Sequence, residues 1–271
     1  MIITIGNNKG GVGKTSITCN LAVCLGRLKR KVLVVDMDSQ CNATYILLGG
    51  EVPIRGYTVY DLLDPEAQHN IRLVPERFII ETRHPNVHCL PNIEESSALD
   101  VPLGRKTPES FSLLRQRLNV LLSKTDYHYV LIDNPPSIGL WLTLSLTASH
   151  CVIVPVDAGS GSLSGLRRVL GLIATVQESL NPDLRFLRLV MNRVDLRTTV
   201  SRYLIDQVRS EYPNSHFRTL IPSNTPVQQA EYLHRTVIEH SPTSRAARAY
   251  RELAIELIEL VESVQIEEAA R

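Results

Sequence analysis

Short apolar runs alternate along this chain with stretches of helical periodicity. Ile2–Ile5, Val32–Val35, Val130–Ile132 and Val152–Pro155 are runs of a few β-prone residues closed by turn formers, the signature of strands buried on both faces. A further run, Phe186–Asn192, ends at an asparagine. From Lys14 to about Lys29, Ile17, Leu21 and Leu25 recur at helical spacing with Val23 and Leu28, and helices are predicted again over Leu140–Ser149 and Leu163–Leu180. A long helix from Thr243 to Val264 carries Ala246, Tyr250, Leu253, Leu257 and Val261 on one stripe. Strand alternating with helix predicts an α/β fold: a doubly wound, mostly parallel sheet with helices on both faces. Residues 49–127 say least; they suggest a short helix near Val59–Leu63, a strand at Asn86–Leu90, a polar stretch from Pro91 to Pro108 and a helix from about Glu109 to Ser123.

With 271 residues and 44% hydrophobic content, one large domain over residues 1–271, with the last helix packed on it, is preferred to two small ones. No apolar run approaches the ~18 residues of a membrane span, and the first residues lack a signal-peptide layout, so a soluble cytoplasmic protein is expected. Cys19, Cys24, Cys41, Cys89 and Cys151 form no C-x-x-C pair and sit in apolar stretches, which predicts ordinary core thiols. His84 and His88 are separated by Pro85, which breaks any helix that would aim both at one metal.

Chemistry enters where the first strand stops. Ile2–Ile5 runs into Asn-Asn-Lys-Gly-Gly-Val-Gly-Lys-Thr-Ser, and helical periodicity follows at once. Gly10, Gly11 and Gly13 allow positive φ and close approach, so successive N–H groups can point at phosphate oxygens. The helix beginning near Lys14 adds free N–H groups and the positive end of its dipole. Lys14 suits β- and γ-phosphates, and the Thr15 hydroxyl suits Mg²⁺. Lys9, Gly10, Gly11, Val12, Gly13, Lys14, Thr15 and Ser16 are therefore the candidate nucleotide loop. The second and third strands end in Asp36 with Asp38, and in Asp133. Ligands of open α/β sheets lie beyond the carboxyl ends of strands, so these carboxylates should face the loop. Thr15 and Asp133 are the candidate metal residues, Asp133 in the manner of a Walker B aspartate.

The string KGGVGKT, with lysines at both ends, resembles the deviant Walker A loop of the ParA/MinD family of P-loop ATPases. The resemblance extends to Asp36, Asp38, Gln40 and Asn42, similar to D-x-D-P-Q-x-N with Ser39 in place of proline, and to Asp133-Asn134-Pro135-Pro136, similar to D-x-P-P. Ile221-Pro222-Ser223-Asn224 looks like the family's I-P-R-N, with Ser223 at the usual arginine. The resemblance implies catalytic roles for Asp38, which orients the attacking water, for Lys14, and for Lys9, which reaches the nucleotide of a partner subunit in an ATP-sandwich homodimer; it also adds Asp36 to the candidate metal residues, near Mg²⁺. Asn192, Pro222 and Asn224 would line the adenine pocket, and Arg197 and Arg218 fall where relatives carry DNA-contacting residues.

The net charge of +1 says little, but residues 185 to 251 hold eleven arginines against five acids, a local excess of six. A basic face toward a polyanion follows, and phosphate contacts give DNA affinity without sequence preference. The expectation is a nucleoid-associated, ParA-like ATPase with ATP and Mg²⁺ as cofactors. It would bind non-specific DNA, and a ParB-like or carboxysome-type adaptor would stimulate a weak hydrolysis that positions a plasmid, chromosome or organelle. Two rivals share the fold: a MinD-like membrane regulator and a metabolic ATP-dependent ligase or synthetase. Glu262, Glu267 and Glu268 against Arg271 in the last residues argue against membrane attachment.

Overall fold

The computed structural model describes residues 1–51, 56–65, 74–159 and 161–269, with side chains placed as far as Ser263. The side chains of Glu267, Glu268 and Arg271, on which the reading of the tail rests, lie outside the described set. In chain order the elements are β1 (Ile2–Ile5), α1 (Lys14–Arg27), β2 (Val32–Asp36), α2 (Asn42–Leu48), α3 (Val59–Leu63), α4 (Pro75–Phe78), β3 (Ile80–Glu81) and β4 (Val87–Leu90). There follow α5 (Asp100–Arg105), α6 (Leu113–Leu122), β5 (Tyr129–Asp133), α7 (Leu140–Ala148), β6 (Cys151–Asp157), α8 (Ser162–Ser179) and β7 (Arg185–Asn192). The chain closes with α9 (Thr199–Glu211), α10 (Thr225–Tyr232), α11 (Val237–His240) and α12 (Arg245–Ala269).

The strands form one sheet in the order β3-β4-β2-β5-β1-β6-β7, parallel throughout except for the edge pair β3–β4. This is the doubly wound, mostly parallel sheet expected. β1 lies centrally between β5 and β6, so the strand that carries the glycine loop is buried on both faces and flanked on both edges. The pleat sends Val32 and Val34 to one core with Ile17, Leu21, Leu25 and the α12 stripe Ala246, Tyr250, Leu253, Leu257 and Val261. Leu33 and Val35 go to the opposite face, with Leu118 of α6 and Leu144 of α7. Beyond β1 on that side, Val152, Val154 and Val156 pack with residues of α8 and α9. All five cysteines are buried and none is in a disulfide among the described residues, as expected of core thiols.

Four departures from the sequence expectation have local causes. The polar stretch after Pro91 holds helical turns that the sequence does not specify: Glu94–Leu99 makes a 3₁₀ turn into α5, anchored by the Trp141 indole N–H donating to the Asp100 carboxylate. A second 3₁₀ turn, Glu109–Ser112, delays α6 to Leu113. The short strand β3 and helices α2, α4, α5 and α9 to α11 stand where the sequence pattern predicts no element; α9 is amphipathic and its N-cap Thr198 accepts from Ser201 N–H. The fourth, β6, runs two residues past Pro155 and so carries Asp157 into the sheet.

Gly26, a weak point in α1 by sequence alone, has a packing reason. A Cβ there would lie 2.6 Å from the Pro85 carbonyl oxygen and 2.7 Å from the Val87 side chain, so only glycine lets α1 approach the start of β4. Alanine would gain about 1 kcal/mol of helix propensity but forces overpacking worth about 1–3 kcal/mol. Gly26→Ala should therefore lower the denaturant midpoint of the intact chain. An unchanged or raised midpoint would show that the helix can retreat freely.

Candidate functional site

The loop between β1 and α1 is braced from three directions. Its entry is fixed by Asn7, whose side-chain amide donates to the Pro155 carbonyl of β6 while its Oδ1 accepts the Lys9 N–H at 3.1 Å. Gly11 (φ +74°) and Gly13 (φ +87°) are left-handed, as the sequence required. Gly10 is not; its place in the loop needs no positive φ. Gly13 stands at the N-cap of α1. A Cβ on Gly13 would come within 2.1 Å of Asn192 Nδ2, so glycine there is what lets the end of β7 reach the loop. Asn192 Nδ2 donates to the Val12 carbonyl at 2.7 Å. The amide nitrogen expected to read a base edge is thus committed to the loop backbone, while Asn192 still borders the neighbouring cavity.

Lys14 folds back along this loop, its Nζ donating to the Lys9 carbonyl at 3.1 Å. Burial lowers its pKa, against the attraction of Asp133 and Asp38. Gly11, Gly13, Lys14, Thr15 and Ser16 line a cavity of about 330 Å³ together with Asp38, Gln40 and Pro136.

The three carboxylates take different places. Asp133, fully buried and in register with Asp36 across the β2–β5 pair, accepts from Thr15 Oγ1 at 2.7 Å and from Thr18 Oγ1 at 3.1 Å. Burial, then the Asp36 charge, pushes its pKa up to about 8. Asp36 is also fully buried, and burial raises its pKa to about 6. Its Oδ2 accepts from the Thr44 N–H and hydroxyl at 2.9 and 2.8 Å, and its Oδ1 from the Asp38 N–H at 3.1 Å. Asp36 thereby ties the Asp38 segment to the first turn of α2. Asp38 alone of the three lines the cavity, and its Oδ1 accepts the Gln40 N–H. The hydroxyl–carboxylate pair Thr15–Asp133 and the glycine cradle beside it suit a magnesium ion carried on phosphate oxygens.

Lys9 is held within its own chain, bonding Asp157 Oδ1 and Ser162 Oγ, each at 2.9 Å. Burial pushes the Asp157 carboxyl up, but bonds from Ser162 and Lys9 hold it below its ordinary pKa. Ser16 Oγ meets the hydroxyl of Tyr250, a fully buried residue of α12, at 3.1 Å. Tyr250, Asn192, Pro222 and Asn224 come together around a narrow space of about 30 Å³ beside the loop cavity.

Both arginines assigned to DNA carry carboxylate partners. Arg197, 88% exposed, forks onto Asp195 at 2.9 and 2.7 Å and holds that carboxyl at about 2. Arg218 reaches Glu259 at 3.0 Å and Glu256 at 3.5 Å. Arg245 and Arg248, which make no ion pair among the described residues, line a separate cleft of about 320 Å³ with Leu196, Leu220 and Pro222. Sequence reading missed Asp157 and Tyr250 as members of the site. An aspartate at the end of an apolar run was the available signal for the first; for the second there was none.

Residues 1–186 match the AAA_31 family model, an AAA domain. The sporulation initiation inhibitor protein Soj of Bacillus subtilis is 33% identical over 256 residues, covering 94% of this chain and 97% of its own length. The chromosome-partitioning ATPase Soj of Thermus thermophilus is 34% identical over 260 residues, 96% of each chain. Among solved structures, a cobyrinic acid a,c-diamide synthase from Mycobacterium smegmatis with bound ADP and magnesium superposes with a TM-score of 0.78 at 28% identity, covering 97% of this chain and 95% of its own.

Because the Val12 carbonyl is braced by one side chain, Asn192→Leu should lower the stability of the nucleotide-free chain by about 1–3 kcal/mol, the usual effect of leaving a buried polar group unpaired. Chemical denaturation measures it. Unchanged stability would mean the loop holds its shape without β7.

Proposed function

The chain belongs to the ParA/MinD family of P-loop ATPases, and on that premise we propose that it is a ParA-like positioning ATPase. In this reading it binds ATP with Mg²⁺, pairs with a second copy around two nucleotides, holds DNA without sequence preference in that state and releases it after hydrolysis. The observation that carries the reading is the loop itself: left-handed Gly11 and Gly13, buried Lys14 and the Thr15–Asp133 contact converge on the cavity that Asp38 lines.

The amides of the loop and Lys14 Nζ grip the phosphates, and Lys14 gives up its bond to the Lys9 carbonyl to do so. Thr15 Oγ1, with Asp133 behind it, would hold Mg²⁺, which when bound neutralises charge on the phosphoryl group being transferred. Asp38 orients the attacking water by accepting a hydrogen bond from it, and Asp36 fixes the segment that carries Asp38. Pro222 and Asn224 flank the base. Lys9 leaves Asp157 and Ser162 to reach the partner's nucleotide, so the ion pair seen within one chain is the resting state of the residue that joins two.

For DNA, Arg245 and Arg248 join Arg197 and Arg218. The first two make no ion pair among the described residues, although Glu252 borders the same cleft, so a phosphate backbone can bind them without breaking an existing pair. Two basic faces united in a dimer raise the effective concentration of each for the same duplex. The name of the Thermus relative, a chromosome-partitioning ATPase, supports a partition role, in which a ParB-like adaptor accelerates hydrolysis on the nucleoid. Among the described residues no helix is long and apolar enough to cross a membrane.

The synthase neighbour favours a second reading, a DNA-independent ligase that activates a small carboxylate with ATP. Phosphate release that is indifferent to DNA and adaptor but rises with a small acid and an amine donor would select it.

Lys14→Ala should abolish measurable ATP binding by titration calorimetry; retained tight binding would remove the loop from its role. Asp38→Ala should bind ATP yet slow phosphate release by roughly 100-fold or more, the low end of what a positioned proton acceptor contributes, and should stay on DNA as a dimer. Arg245→Glu with Arg248→Glu should weaken DNA binding and flatten its salt dependence by about two log units per log unit of salt, with ATP affinity unchanged. Equal DNA affinity would move the interface elsewhere.

A further inference from the structure

Arg193 follows Asn192 at the end of β7 and belongs by sequence to the basic stretch, but the structure separates it from the other arginines there. Its backbone is left-handed (φ +54°), a conformation that a non-glycine residue holds only when its surroundings impose it. The turn aims the side chain over the glycine loop: Arg193 Nη1 lies 3.7 Å from where a Cβ on Gly11 would stand. Arg193 lines the loop cavity beside Lys14 and Asp38, and it also lines the narrow space bordered by Asn192, Pro222 and Asn224. It therefore stands where those two spaces adjoin.

Its charge is unspent. Arg193 is exposed and makes no hydrogen bond or ion pair among the described residues, whereas Lys9, Arg197 and Arg218 are each matched to a carboxylate. Glu231 borders the same two spaces without closing on it. A guanidinium held over a cradle of backbone amides, with no anion of the protein's own, is arranged for an anion that the cradle brings to it.

We propose that Arg193 binds the polyphosphate of the nucleotide from the side opposite the loop amides, closing the loop cavity over it. This rests on the nucleotide reading of the loop and adds to it a second cation, supplied in cis by β7, beside Lys14. Because Asn192 bonds the Val12 carbonyl and Arg193 stands beside Gly11, one strand end sets both the shape of the cradle and the grip on its occupant.

The test compares the intact wild-type chain with Arg193→Gly, Arg193→Asn and Arg193→Lys in equilibrium binding of ATP and ADP, and in displacement of labelled ATP by inorganic tripolyphosphate. Glycine and asparagine tolerate the left-handed backbone, so both variants should unfold no earlier than wild type. Both should bind ATP and ADP about tenfold or more weakly, as for loss of a charge-assisted bond, with tripolyphosphate losing the same factor and lysine restoring part of it. Equal ATP affinity in wild type and Arg193→Gly overturns the proposal alone, as does a loss for ATP that tripolyphosphate does not share, which would put the side chain on the base. A wild-type chain with no affinity for ATP overturns the nucleotide reading, and this proposal with it.

Discussion

The bond between Thr15 Oγ1 and the Asp133 carboxylate is the contact through which the rest of the site is assembled. It joins the first turn of α1 to the end of β5, and β5 is the strand on which β1 and β2 both register, Ile5 and Asp36 each opposite Asp133. Once that junction is made, the positions of Asp36 and Asp38 at the end of β2 follow. Asp36, bonded to Thr44, then sets the direction in which the chain leaves for α2. Around the junction the loop has two more supports, Asn192 from β7 and Tyr250 from α12. The glycine cradle is thus not a flexible loop awaiting a ligand but a backbone shape imposed by three elements remote in sequence.

Burial makes that shape electrostatically uncomfortable. Lys14 is driven toward its neutral form, and Asp36 and Asp133 toward theirs, chiefly because water is excluded from them. The Asp36 charge raises Asp133 further, and the Asp38 charge does the same to Asp36. In the proposed reading a bound polyphosphate would return a partner to Lys14 and a divalent cation would return one to Asp133, which would couple stability to occupancy through the same groups. Lys9 differs. It is partly exposed, and its pairing with Asp157 and Ser162 keeps a cation folded against its own chain until something more anionic competes for it.

Much of this was legible in the sequence, because a strand, a glycine-rich turn and a helix in immediate succession are local in the chain. The carboxylates at the ends of β2 and β5 were legible for the same reason: a buried run ending in aspartate has one direction in which to point. What could not be read was which distant residue meets which. Asn192 lies far along the chain from Val12, and only the fold shows its amide turned under the loop instead of toward a base. Arg197 reads as a free cation until Asp195, two residues before it, folds onto it. Gly26 reads as a defect until Pro85 is seen against it.

In the function proposed above, the loop and Lys9 together make nucleotide state a switch of assembly state. Sedimentation velocity of the intact chain without nucleotide, with ADP and Mg²⁺, and with ATP and Mg²⁺ tests it most directly. The account predicts a monomer in the first two and a dimer in the third, with the dimer lost in Lys9→Ala. One unvarying species across all three conditions, or an ATP dimer that survives removal of the Lys9 side chain, would contradict it.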